Sequence, residues 1–196
     1  KGVKYKIAEA EKTIQLLMRE TEEYQTVDGR TRIKATGKLY IADNIRYFDH
    51  FLPVKSAVVP FGYVFPGTLS NVAEKLKEHA IKVSILDIRH PIEAEEYLIE
   101  SFNRDSRAIY GGHYPVRVEG RFIRKKLTAE KGYYYVDMRQ PLAWLIFYML
   151  EPESDDGLLY WNFFDNYLEN RGIEKGPVPY PVLKLMKPID SMLKSL

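Results

Sequence analysis

The stretch Phe61-Gly62-Tyr63-Val64-Phe65-Pro66-Gly67-Thr68-Leu69-Ser70-Asn71-Val72-Ala73-Glu74-Lys75-Leu76, continued through His79-Ala80 to Ile81-Lys82-Val83-Ser84-Ile85-Leu86-Asp87-Ile88, decides how the chain is read. Lys55 to Phe65 is rich in β-branched and aromatic residues and is interrupted by Pro60 and Gly62. A proline cannot donate to a central ladder, so this strand is expected at an edge, bulged, or short. Pro66-Gly67 signals a turn, and Thr68 or Ser70 can cap a following helix. Leu69, Val72, Ala73, Leu76 and Ala80 fall on one helical face, with Glu74, Lys75, Lys77 and Glu78 on the other. Ile81 to Ile88 then reads as a second strand. Strand, helix and strand at this spacing predict a right-handed βαβ unit with a parallel pair.

On the N-terminal side, Ile7, Ala10, Ile14, Leu17 and Met18 recur at steps of three and four, which predicts one amphipathic helix from Lys4 to about Tyr24. Asp28-Gly29 marks a turn. Ile33, Ala35, Gly37, Leu39 and Ile41 alternate with charged or polar residues, the pattern of a half-buried strand bent or bulged at Gly37. On the C-terminal side, Ala94 to Phe102, Tyr114 to Arg124 and Gly132 to Met138 predict antiparallel strands. Pro141 opens a helix, Leu142 to Leu150, that is apolar nearly all round and therefore buried, Trp144 included. A short aromatic helix follows from about Leu158 to Leu168. The tail beyond Arg171-Gly172 carries Pro177, Pro179, Pro181 and Pro188, and is expected to lie extended along the surface. The fold class is thus α/β: a mixed sheet with a βαβ unit, an antiparallel portion and packed C-terminal helices. Residues 1–52 form an N-terminal helix and strand that join a missing upstream domain, and 53–196 an accessory domain with a Pro-rich tail.

The 196 residues carry 29 Lys plus Arg against 27 Asp plus Glu, a net charge of +2, without the strong basic excess of a dedicated nucleic-acid binder. There is no cysteine, so disulfides, thiolate zinc sites and cysteine nucleophiles are excluded. No apolar run approaches the ~18 residues of a membrane-spanning helix. Neither a Gly-rich phosphate loop nor a G-x-S-x-G elbow is present. His90-Pro91-Ile92-Glu93 spells His-x-x-Glu, the opening half of a zinc pattern. Pro91 denies His90 an ordinary helical conformation, so His90 and Glu93 are not a helical ligand pair, and the plainer reading is a polar corner after the strand ending at Ile88. His113, after Gly111-Gly112, is a candidate base or ligand-binding group. Arg121, in the basic run Arg121 to Lys126, and Tyr134, in the run Tyr133 to Tyr135, are candidates for holding a sugar or a single strand. The plainer reading of the basic run is a charged hairpin end guarding a sheet edge. Trp161 is a further ligand-binding candidate, or core filling.

Leu150-Glu151-Pro152-Glu153-Ser154-Asp155-Asp156-Gly157-Leu158, continued by Tyr160-Trp161-Asn162-Phe163-Phe164-Asp165, resembles the far C-terminal region of zinc carboxypeptidases of the carboxypeptidase A-like metallopeptidase family. Met149 stands at that segment's first leucine. Other pieces agree in order: Gly62-Tyr63 before Pro66, His79-Ala80-Ile81 with Ala80 departing from the usual glycine, Gly112-His113, Val116-Arg117-Val118, Gly132 to Val136, and Gln140-Pro141. The similarity covers about Val58 to Leu168.

The resemblance implies that zinc, its ligands and the catalytic glutamate belong to a peptidase domain preceding Lys1, with no catalytic residue and no cofactor on this chain. It implies a non-catalytic C-terminal module, and the amphipathic first helix and the Trp144 region suggest that it packs on its own upstream peptidase domain and stabilises it. The alternative is a carbohydrate- or peptidoglycan-binding module using surface tyrosines. The compartment stays open, a secreted or periplasmic parent being one option.

Overall fold

In the computed structural model, which describes residues 1–189 and 193–195, the chain is 47% strand and 15% helix. The strands are β1 (Gly2–Glu9), β2 (Ile14–Gln25), β3 (Thr31–Ile45), β4 (Phe48–Ser56) and β5 (Gly62–Phe65); helix α1 (Ser70–Glu78) follows. Next come β6 (Ser84–Leu86), β7 (His90–Arg104), β8 (Val116–Ala129) and β9 (Tyr134–Asp137), then helices α2 (Ala143–Leu150) and α3 (Asp165–Asn170). Three short strands close the chain: β10 (Val178–Pro179), β11 (Leu183–Leu185) and β12 (Leu193–Ser195). The chain divides into two compact units, Tyr5–Pro53 and Lys1–Lys4 with Val54–Leu196.

In the larger unit one eight-stranded sheet runs in the order β10-β7-β11-β5-β9-β6-β12, and β8 pairs with β7. Every pairing given for it is antiparallel. The expected α/β fold with a paired parallel βαβ is therefore corrected to a mainly antiparallel β fold. Strands β5 and β6 do flank α1 and run the same way, but β9 lies between them and pairs with both. Sequence spacing fixes that a crossover exists; it says nothing of a later strand inserting into the gap. Helix α1 buries Val72, Ala73 and Leu76 as expected, with Leu69 at its N-cap position and no side-chain cap from Thr68 or Ser70. Ala80 is not inward: it sits exposed beyond the helix at φ 59°.

The four residues of β5 are all buried, and they divide between two cores. Tyr63 and Phe65 join Val72, Leu76, Phe147 and Leu150 on the helical face, while Val64 joins Tyr135, Leu185 and Ile92 on the other. Successive side chains point to opposite faces of a strand, so a strand covered on both sides reads as an unbroken apolar run. Helix α2 buries Ile146, Phe147, Met149 and Leu150, but Trp144 is 58% exposed, with the Lys1 ammonium 4.8 Å from its ring centroid. The expected aromatic helix over 158–168 is replaced by successive turns and the short α3.

The Pro-rich tail departs furthest from expectation. Val178, Tyr180, Val182 and Leu185 are all buried, and β11 lies inside the sheet, hydrogen-bonded to β5 on one side and β7 on the other. The four prolines all fall outside β11, so its N–H groups remain available to both neighbours. Residues 190–192 and 196 of that tail lie outside the described residues.

In the smaller unit, β2 and β3 form an antiparallel hairpin closed at Asp28-Gly29, with Gly29 at φ 77°. The helix expected over Lys4 to Tyr24 is thus two strands. Apolar steps of three and four over a dozen residues fit a helix and a bulged strand about equally, and the partner strand supplies the backbone hydrogen bonds that decide the outcome. Residues 36–38 of β3 bulge opposite Glu20, at the bend expected near Gly37. The strand is not half-buried: Ile33, Leu39 and Ile41 are each more than half exposed.

Candidate functional site

The acidic segment Glu151 to Gly157 leaves α2 and turns back beneath it, and each of its carboxylates meets a donor from elsewhere in the larger unit. Glu151 is the C-terminal cap residue of α2, its N–H donating to Phe147 O at 3.1 Å. Its carboxylate, 2% exposed, accepts from Tyr63 OH at 2.7 Å and from Lys184 Nζ at 2.9 Å. Lys184 comes from β11 and is itself 1% exposed, its ammonium 4.0 Å from the Phe122 ring centroid. Burial pushes the Glu151 carboxyl above the usual carboxylate range, opposed by Lys184 and Tyr63. Burial and the neighbouring carboxylate push the Tyr63 phenol well above its ordinary value. Tyr180 OH donates to Leu150 O at 3.2 Å, fixing the tail to the end of the same helix.

Glu153 accepts from Tyr97 OH and pairs with Lys55. Asp155 accepts from Tyr148 OH, and its N–H donates to Val3 O at 3.2 Å. Asp156 accepts from Trp161 Nε1 at 2.5 Å and so braces the indole. Gly157 is enclosed: a Cβ there would lie 2.9 Å from both Ser154 Cβ and Tyr148 O. Gly157→Ala is accordingly expected to lower stability by about 1–3 kcal/mol, read as an earlier urea midpoint with an unchanged slope.

Beside this segment lies a cleft of about 430 Å³, bounded by Lys4, Lys55, Asn103, Arg117, Glu119 and Glu153 among others. Its cations are largely committed: Lys55 to Glu153, and Arg117 to Asp105 at 2.7 Å and the Tyr160 ring.

The structure brings two of the sequence candidates together. His113 Nδ1 is 3.3 Å from Asn162 Oδ1, and its ring stands edge-on to Trp161 with centroids 5.4 Å apart. Asn162 in turn donates to Tyr114 O at 2.8 Å. Among the described residues His113 meets Asn162 and Trp161 and neither a hydroxyl nucleophile nor a carboxylate, so the group reads as a polar and aromatic corner. The other two candidates lie apart from it. Arg121 on β8 pairs with Glu100 at 2.6 Å, and Tyr134 on β9 packs its ring against Phe65 at 5.4 Å. Tyr135 is 1% exposed, so the tyrosine run offers no continuous surface. His90 and Glu93 both lie on β7, and positions three apart on a strand face opposite ways. Glu93 is engaged by Lys187 at 3.0 Å, which holds its carboxyl below the usual range. Among the described residues no three His, Asp or Glu side chains converge as a metal site would require. No helix of the described residues is long and apolar enough to cross a membrane.

Sequence reasoning missed Lys184, Tyr63, Tyr97 and Tyr180. A signal existed for the first: one lysine inside Val182-Leu183-Lys184-Leu185-Met186 marks a charge in an otherwise interior strand, where it requires a partner. No protein family, no curated protein and no solved structure matched this chain when each was compared with it.

Proposed function

We propose that this chain is a non-catalytic module of a zinc-carboxypeptidase-like hydrolase, which packs on the peptidase domain and stabilises it. One observation carries the non-catalytic part: all four carboxylates of Glu151 to Asp156 are engaged by donors of this same chain. A carboxylate serving as general base must reach a substrate or its water, and Glu151 is enclosed on every side. The hydrolase part rests on the resemblance of Met149 to Asp165, whose acidic residues all take part in contacts within the fold.

The test has two arms. The purified chain, supplied with zinc, is expected to release no amino acid from peptides with free C-termini. Zinc-dependent, chelator-sensitive release would overturn the non-catalytic reading. The coding sequence upstream of Lys1 is expected to specify a zinc-peptidase domain with its own His-x-x-Glu; its absence there would overturn the proposed parent.

A further inference from the structure

The hairpin of the smaller unit has two chemically different faces. Direct partners across an antiparallel pair share a face, so Leu17↔Ile41, Arg19↔Leu39, Thr21↔Ala35 and Glu23↔Ile33 lie together, and Glu22↔Lys34 lies on the opposite one. That opposite face also carries Leu16, Met18, Tyr24 and Tyr40, each less exposed at 39–47%, and most of its charges are matched within the hairpin: Lys34 pairs with Glu22 at 3.0 Å. Glu20, opposite the bulge, accepts from Thr36 at 2.9 Å and lies 3.8 Å from Lys38. On the first face Leu17, Ile33, Leu39 and Ile41 are 59–69% exposed, and Arg19 and Glu23 have no ion-pair partner among the described residues. Four residues of strand separate those two charges by about 13 Å, too far for them to satisfy each other.

A two-stranded hairpin is marginal alone in water, and an exposed apolar ribbon of this length calls for a cover. The pattern on this face specifies one. Arg19 and Glu23 sit symmetrically either side of Thr21, and Leu39 and Ile33 either side of Ala35, the bulge at 36–38 absorbing the extra residues of β3. We propose that this face docks on the same face of a second copy, about a two-fold axis lying between the sheets, at right angles to the strands, and passing beneath Thr21 and Ala35. That operation sets Arg19 over Glu23 of the second copy and Leu39 over its Ile33, each contact made twice, with Leu17 and Ile41 over its Gln25 and Thr31 at the two ends. The small residues at the axis let the ribbons approach. The alternative two-fold, along the strands, would set both charges over leucine and isoleucine. The ribbon is about 30 Å by 10 Å, so the two copies together cover roughly 600 Å², the size of a weak and transient interface, and a dissociation constant of about 100 μM is expected.

Sedimentation of the whole chain across about 1–200 μM tests this. A monomer–dimer equilibrium is expected, weakened about tenfold in Arg19→Glu and in Glu23→Arg, and returned to within about threefold of the starting value in the double exchange. Because the chain has no cysteine, Thr21→Cys is expected to cross-link to itself with a thiol reagent of about 10 Å span, while Gln25→Cys does not. A chain that stays monomeric throughout, whatever else the ribbon contacts, overturns the proposal. So does a dimer indifferent to Arg19→Glu, or one not restored by the double exchange in variants whose circular dichroism is unchanged.

Discussion

Glu151→Ala is expected to lower the stability of the larger unit by about 3–5 kcal/mol, because it leaves the Lys184 ammonium interior and unpaired. Against a total of about 5–15 kcal/mol that is a large share, and for a chain of this size it corresponds to a fall in Tm of about 10 °C. The effect is one of leaving a charge behind, not of losing an attraction. Taking two charges out of water costs nearly as much as their contact returns, so Lys184→Met with Glu151→Leu and Tyr63→Phe, which removes every polar group of the cluster, is expected to recover most of the loss. Equilibrium unfolding in urea separates the two variants. A Glu151→Ala loss below about 1 kcal/mol would show that the carboxylate is solvated and the pair is not interior.

The same pair explains what was legible in the sequence and what was not. Local elements were readable where one periodicity prevailed. Residues 69–76 show a helical stripe and fold largely as α1, and of the strands expected over 94–102 and 114–124 all but 114–115 fall within the long hairpin of β7 and β8. Elements whose identity depends on a distant partner were not readable. Residues 14–18 look helical until β3 is placed beside them, and Leu183 to Leu185 look like part of a surface tail until β5 and β7 are placed on either side. The order of strands in a sheet is a property of long-range pairing, and the insertion of β9 between β5 and β6 leaves no mark on either of them.

The candidate site divides the same way. His113 and Trp161 were singled out separately, for a glycine-flanked imidazole and an aromatic cluster, and the fold sets their rings edge to edge. The acidic segment stood out by resemblance, yet the donors that occupy it, Lys55, Tyr63, Tyr97, Tyr148, Trp161 and Lys184, come from six separate points of the chain. Only Lys184 betrays its role locally, as a lone charge within an apolar run. A tyrosine in a strand looks the same whether its hydroxyl meets water or a buried carboxylate.

Removal of the chain from Pro177 onward is expected to abolish cooperative folding of the larger unit. With that segment go β10 and β11, and with β11 the only strand that pairs both β5 and β7 among the described residues. The sheet would separate into the β7–β8 hairpin and the β5–β9–β6 group. Interior side chains leave as well, among them the four apolar residues Val178, Tyr180, Val182 and Leu185, each at most 5% exposed. At about 1.5–3 kcal/mol for each, the lost burial alone is about 6–12 kcal/mol, equal to the whole stability of an ordinary domain. Glu151 would lose Lys184 at the same time, leaving the opposite charge of the pair in an apolar setting. The truncated chain should therefore show no urea transition and no dispersed amide spectrum. A synthetic peptide of residues 177–196 added in trans should restore both, the rest of the chain folding as the peptide takes its place between β5 and β7. A truncated chain that unfolds cooperatively at an unchanged midpoint would place the tail where its prolines first suggested, on the surface.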